Sequence, residues 1–307
     1  MIRYILRRLF HTVFVLFGIS LIVFVTVRLT GNPVAAMLQG SNPSVQAMAS
    51  MEKALGLNQP YIVQYWIFIR GIVTLNFGTS FVTGQPVLPM ILSRLGATAL
   101  LAVGGIVVGV LIAIPVGIIS AIRYGTFLDV LGRGISLLGI SFPNYWLATM
   151  LILIFSVDLH WFPVAGSEGF SSLVLPSFTL GFILAGILAR LVRTSMLETL
   201  GSQYIVTARA KGLTRWRVII VHALRNALLP TITFMGIQFG GLLGGVVILE
   251  EVFSWPGIGR LVLTAVNERD YPVVQASVLL LSFLYIMVNL AVDLSYAFLD
   301  PRIRIGD

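Results

Sequence analysis

Five stretches of the chain, near residues 9–29, 97–122, 134–157, 228–249 and 273–298, stay apolar for twenty residues or more. A helix needs about 20 residues to cross a hydrocarbon core of about 30 Å, and each stretch has that length. Inside a bilayer the backbone has no water to bond, so such segments must satisfy their own N–H and C=O groups as helices. A sixth stretch, 173–190, is shorter and opens at Leu175-Pro176. Only 10% of the 307 residues are charged, far below the roughly 25% of a soluble domain. The expectation is an all-α polytopic protein with six transmembrane helices. The first stretch exceeds the roughly 7–15 residues of a signal-peptide core and has no small-residue cleavage site after it, so it reads as a retained span.

Charge sets the orientation. With a cytoplasmic N-terminus, fourteen of the twenty Lys and Arg residues fall inside, including Arg3, Arg7, Arg8, Arg123, Arg133, Arg302 and Arg304. The outside segments hold the other six, together with seven of the twelve acids. This positive-inside bias favours both termini in the cytoplasm and accounts for the basic balance with no nucleic acid as partner. The chain then divides into residues 1–30, a cytoplasmic N-terminus and first span; 31–95, an external segment; and 96–307, a five-helix core that contains a cytoplasmic loop over 190–230. The external segment runs from Asn42-Pro43 through Leu55-Gly56-Leu57 and Gln59-Pro60 to Trp66, a pattern of short amphipathic helices with turns between them. Leu75 to Ser80 reads as a structured turn. Pro115, Pro143 and Pro176 mark kinks.

The 190–230 loop is the most charged part. Arg190, Arg193, Arg209, Lys211, Arg215, Arg217 and Arg225 stand there against a single acid, Glu198. Ser202 is placed to cap a helix over Gln203–Lys211, Gly212 to end it in a left-handed conformation, and Thr214 to cap the next helix. The resulting helix–turn–helix suits a docking surface for another protein; the competing reading is that its cations only enforce topology.

Residues 207–212 (Thr-Ala-Arg-Ala-Lys-Gly) and 222–230 (His-Ala-Leu-Arg-Asn-Ala-Leu-Leu-Pro) closely resemble the permease subunits of ABC importers for dipeptides, oligopeptides, glutathione and nickel. The resemblance spans nearly the whole chain, through Tyr4 to Arg8, Gly31-Asn32-Pro33, Asn76-Phe77-Gly78, Ser141-Phe142-Pro143, Glu251 to Gly259, Arg269 to Pro272, Val292 to Tyr296 and Asp300-Pro301. The glutathione and dipeptide permeases look most similar. The general cytoplasmic motif, E-A-A-x-x-x-G, is altered: Val206 and Thr207 replace its first two residues, and Pro230 follows Gly212 at eighteen residues, a longer interval than the general pattern. Peptide-type members share that variant.

The resemblance implies a type I ABC importer permease fold in the bacterial inner membrane. It carries an ATPase-docking role over to Ala208, Arg209, Ala210, Lys211 and Gly212. It also implies a heterodimer with a second homologous permease, two ATPase subunits, an extracytoplasmic substrate-binding protein and a peptide substrate. The chain has no G-x-x-x-x-G-K-S/T phosphate loop, so ATP and Mg are expected in the partner subunits, with no cofactor and no enzymatic activity in this one.

Intramembrane polar residues are the candidates for a path. Gln238 and Gln275 face a pathway or bond between helices. Asp293, one turn from Asn289, pairs with a cation or meets substrate. Trp255, Pro256 and Gly257 belong by resemblance to a short re-entrant helix near the outer mouth, with Trp255 alternatively an interfacial anchor. Gly236, Gly240 and Gly244 give the fifth span a bare face that suits close packing. His11, His160 and His222 do not converge, which disfavours a metal site; nickel remains a possible cargo. An ion-driven secondary transporter needs inverted repeats and midplane carboxylates, and an intramembrane hydrolase needs paired catalytic groups. The sequence displays neither.

Overall fold

The computed structural model describes residues 2–37 and 45–299, with side chains for 10–37, 45–243 and 246–292. Asn42-Pro43, Asp300-Pro301 and the side chain of Asp293 lie outside the described residues. The described residues form fifteen α-helices and two π-helical segments, with a single isolated β-bridge and no strand. Four helical stretches are long and apolar enough to cross a membrane: Phe10–Leu29, Val87–Ile122, Gly169–Leu200 and Tyr271–Val292. Two bent pairs bring the total to six if each pair is one span: Phe127–Ser141 with Asn144–Asp158, bent by 102°, and Arg215–Ala227 with Leu229–Leu243, bent by 43°.

Differences from the sequence expectation have local causes. The sixth stretch is a full 32-residue helix, α8 (Gly169–Leu200), rather than a short one. Pro176 lies inside α8, and Pro115 lies inside α5 (Val87–Ile122), without ending either. Only Pro143 marks a break. Its ring disfavours the α region for the residue before it, and Phe142 is extended at φ −78, ψ 129, between α6 (Phe127–Ser141) and α7 (Asn144–Leu151). A π-helical segment, Ile152–Asp158, continues α7.

The chain forms two compact units. One comprises residues 1–98, 243–247 and 256–307. In it α1 (Ile2–Leu29) packs on α15 (Tyr271–Leu299), which also holds α14 (Ile258–Asn267). Their core gathers Val27, Val87, Ile91, Ile258, Leu261, Ala265, Val273 and Val274. Ile258, Leu261 and Ala265 recur at three and four residues, the spacing that puts one face of a short helix inward. The segment between α1 and α5 carries α2 (Pro33–Met37), α3 (Val45–Ala54) and α4 (Tyr61–Val73), followed by a turn that closes through the bridge Thr79↔Pro86. Buried Asp270 fixes that turn, accepting from Ser80 Oγ at 2.5 Å and Phe81 N–H at 3.1 Å.

The other unit comprises residues 99–242 and 248–255. Here α5 and α6 pack on α8 where glycines let backbones meet. A Cβ on Gly139 would stand 2.8 Å from Phe182 O and 3.1 Å from Gly186 Cα, and one on Gly186 would stand 2.7 Å from Ser136 O. Close approach without side chains is how apolar helices gain contact in lipid. On α12 (Leu229–Gly245), by contrast, a Cβ on Gly241 would meet nothing within 4 Å.

Candidate functional site

The end of α8 builds a helix–turn–helix with α9 (Gln203–Ala210), α10 (Arg215–Arg217), a π-helical segment Val218–Leu224 and α11 (Arg225–Ala227). Apolar residues seat it on the span ends: Ile205, Ala208, Val218, Ile219, Ala223 and Ala227 join Ala121, Val192 and Met196 in one buried cluster. Gly212, at φ +77, supplies the left-handed turn after α9, a conformation that costs other L-residues about 1–2 kcal/mol. Tyr204 ties the two arms, its hydroxyl accepting from Asn226 Nδ2 at 2.8 Å.

Two local expectations need correction. Ser202 and Thr214 occupy N-cap positions with extended backbones, yet neither side chain bonds the helix it precedes. The Ser202 hydroxyl instead donates back to Thr199 O at 2.6 Å, closing α8. Of the five docking candidates, Arg209, Ala210, Lys211 and Gly212 are exposed, but Ala208 is buried and seats α9 on the bundle, so its methyl faces inward. Arg209 and Arg215 line a cavity of about 450 Å³ with Leu200, Leu213 and Ile219. Trp216 is 68% exposed between Arg215 and Arg217, an apolar surface among the cations. A solvated cationic surface with exposed aromatics, Trp216 and Tyr204, is suited to a protein partner bearing carboxylates and an apolar groove.

Behind this surface α6 is clamped to α8. Asp129 is 1% exposed and accepts from Arg193 Nε at 2.7 Å, Arg193 Nη2 at 3.0 Å and Gly125 N–H at 3.1 Å. Arg133 lies 3.7 Å from the same carboxylate, and the Arg193 guanidinium stands 5.5 Å from the Tyr124 ring. Arg193, counted in the sequence among the loop cations, is thus a structural residue.

The path candidates fall in different places. Gln238 is half-buried on α12. Trp255 is 2% exposed, which rules out an interfacial anchor; it follows α13 (Val247–Val252), and its N–H donates to Glu250 O at 2.7 Å. Pro256 is half-buried, while buried Gly257 stands at the N-cap of α14, where the next N–H, on Ile258, donates to Thr98 Oγ1 at 2.9 Å. Gln275 is buried on α15, and its Nε2 has no hydrogen-bond partner.

Residues 113–305 match the family of binding-protein-dependent transport system inner membrane components, and residues 1–102 match the N-terminal region of such membrane components. The chain belongs to this family. It is 41% identical over 304 residues to the glutathione transport system permease protein GsiC of Salmonella typhimurium, and 40% identical to that of Escherichia coli, in each case over 99% of both chains. A crystal structure of an amino acid ABC transporter with histidines aligns at a TM-score of 0.53 and 14% identity, covering 70% of this chain and 95% of the other. At that identity the likeness concerns the fold alone. The permease is therefore a multi-pass inner-membrane component of a binding-protein-dependent ABC importer, with an ABC-transporter permease fold. Membership of this family replaces the ion-driven secondary transporter considered from sequence.

Proposed function

We propose that this permease forms, with a second homologous permease, the translocation path for glutathione, dipeptides or short oligopeptides delivered by an external binding protein. Two ATPase subunits bind ATP and Mg and supply the work; the permease itself carries out no catalysis. The observation that carries the substrate class is the 40–41% identity, along the full length, to glutathione permeases. Both termini lie in the cytoplasm, which places the 190–230 loop inside and the 31–95 segment outside.

The exposed residues Arg209, Ala210, Lys211 and Gly212 dock an ATPase, with Ala208 holding α9 in place. Closure of the ATPases drives the docking surface against the bundle, and α8, clamped to α6 through Asp129, carries that displacement into the spans. Gln238 supplies a polar contact along the path, and Trp255-Pro256-Gly257 shape the entrance to α14. The deciding experiment is ATPase activity of the assembled complex in lipid discs, with the binding protein empty or loaded with glutathione, dipeptides or nickel. Stimulation by glutathione or peptide is expected. Stimulation by nickel alone would transfer the permease to metal uptake, and assembly without any ATPase would overturn the reading.

A further inference from the structure

The apolar part of α1 ends at Leu29 and that of α15 begins at Tyr271, and the two ends adjoin: the Tyr271 hydroxyl donates to Gly31 O, and the Arg28 guanidinium lies 5.7 Å from the Tyr271 ring. A cavity of about 740 Å³ opens at this level. Arg28, Arg70, Gln64, Tyr271 and Gln275 line it with residues from 54–57 and 74–81, and no carboxylate is among the lining residues. Arg28 is held firmly. Its Nε and Nη2 donate to Gln64 Oε1 at 3.1 and 2.7 Å, its Nη1 donates to Phe24 O at 3.1 Å, and the Gln64 amide is itself fixed by Leu57 O and Gln59 O at 3.1 and 2.8 Å. Those bonds leave an N–H on each Nη free to donate again.

Gln275 is the unfinished part. It is 6% exposed, lines the cavity, and its Nε2 donates to nothing. Buried amides in folded proteins are almost always paired, so an acceptor is missing here. Beside the cavity, α4 is apolar except for Arg70 and one glutamine, and at 13 residues it is too short to cross a bilayer. Its Gln64, Tyr65 and Phe68 hold it against α1, leaving Ile62, Trp66 and Val73 at 83, 70 and 80% exposure. The hydroxyls of Tyr65 and Ser20 lie 2.9 Å apart and the Tyr65 ring stands beside Phe17, well inside the apolar part of α1, so the exposed apolar face of α4 is placed for lipid chains to cover.

We propose that this cavity binds the phosphodiester of an anionic membrane phospholipid. Arg28, Arg70 and the Gln275 amide are the donors, and the exposed face of α4 lies along the acyl chains. Guanidinium groups recognise phosphate oxygens through paired N–H bonds, and basic pockets between membrane helices take lipid headgroups for that reason. A peptide carboxylate offers related oxyanion chemistry but has no acyl chain to cover α4.

The test uses the complex purified with its partner subunits, reconstituted in discs of equal phosphatidylglycerol and phosphatidylcholine, re-extracted, and its retained lipid counted by native mass spectrometry. The wild type is expected to keep phosphatidylglycerol in preference to phosphatidylcholine. Arg70→Gln with Gln275→Leu is expected to lower that retention at least about fivefold, the effect of one Arg near a membrane surface. The exposed Arg70→Gln alone perturbs no packing and is expected to lower it in the same direction, which keeps the test decisive if the double variant fails to fold. Equal retention of the two lipids, retention unchanged in the variants, or no retained lipid in the wild type would each overturn the proposal. So would displacement of the lipid by free glutathione or dipeptide, which would assign the cavity to substrate.

Discussion

Replacing Asp129 by leucine strips the Arg193 guanidinium of the acceptor for two of its bonds in the seam between α6 and α8. Breaking a buried pair from one side costs about 3–5 kcal/mol, because the remaining charge stays out of water. The Arg193 side chain keeps 18% of its exposure, so water relieves part of that charge and the lower end, about 3 kcal/mol, applies. Arg193→Met is the harsher change. It leaves a carboxylate at 2% exposure with the Gly125 N–H and the more distant Arg133, and about 4–5 kcal/mol is expected. Joining Asp129→Leu to Arg193→Met removes both charges and fills the seam with apolar atoms, which is expected to return stability to within about 1 kcal/mol of the parent. The assay is denaturant unfolding of the purified permease in mixed micelles, arranged as a double-mutant cycle so that the coupling between the two sites is read directly. A double variant as unstable as the sum of the two single changes, or single changes that each cost under about 1 kcal/mol, would refute the assignment of this pair as a clamp.

Other perturbations test the remaining joints. Gly212→Val forces a β-branched residue to φ +77; a loss of about 1–2 kcal/mol in the α9 turn is expected, seen as weaker ATPase co-purification with the spans intact. Reversing charge at both Arg209 and Lys211 is expected to weaken ATPase recovery without affecting membrane insertion, and an undiminished yield of the whole complex would count against the docking surface. Gly139→Ala places a methyl 2.8 Å from Phe182 O and is expected to lower the unfolding free energy by about 1–3 kcal/mol through overpacking. Ser80→Ala leaves one Asp270 oxygen without its donor, at a cost of about 1–3 kcal/mol, and faster proteolysis within 74–86 is the measurement that reports it.

The spans near 9–29, 97–122 and 273–298 were legible from sequence because one physical requirement, a bilayer's thickness, sets both their length and their composition, whereas the stretches near 134–157 and 228–249 belong to bent helix pairs. The sixth was underestimated for an equally physical reason. Arg190, Arg193 and Glu198 dilute the apolar signal after residue 189, but a helix continues through them once Arg193 has Asp129 to bond and Val192 and Met196 have a core to enter. Hydropathy averages over neighbours in the chain, whereas that pair joins residues 64 positions apart. The bend at Pro143 was legible as chemistry, since the rule before proline is local; that Pro115 and Pro176 leave their helices continuous depends on surroundings the sequence does not display. In the docking loop, the left-handed turn at Gly212 followed from residue type. The inward face of Ala208 and the outward face of Trp216 did not, because both depend on how α9 and the 215–227 arm seat against the ends of the spans.

The unbroken course of α8 makes it a beam. At about 1.5 Å per residue its 32 residues measure roughly 48 Å, half again the thickness of the hydrocarbon it crosses. Its C-terminal end runs on into the loop that carries Arg209 and Lys211, so one continuous helix joins the apolar packing of α6 and α8 to that loop. A pivot of about 15°, the scale of rotation seen when protein interfaces switch, would sweep one end through roughly 12 Å relative to the other. A lever of that kind needs no flexible joint along its length. It needs only that the beam not slip against its neighbour, and a single carboxylate wedged between two guanidinium groups is placed where slipping would begin.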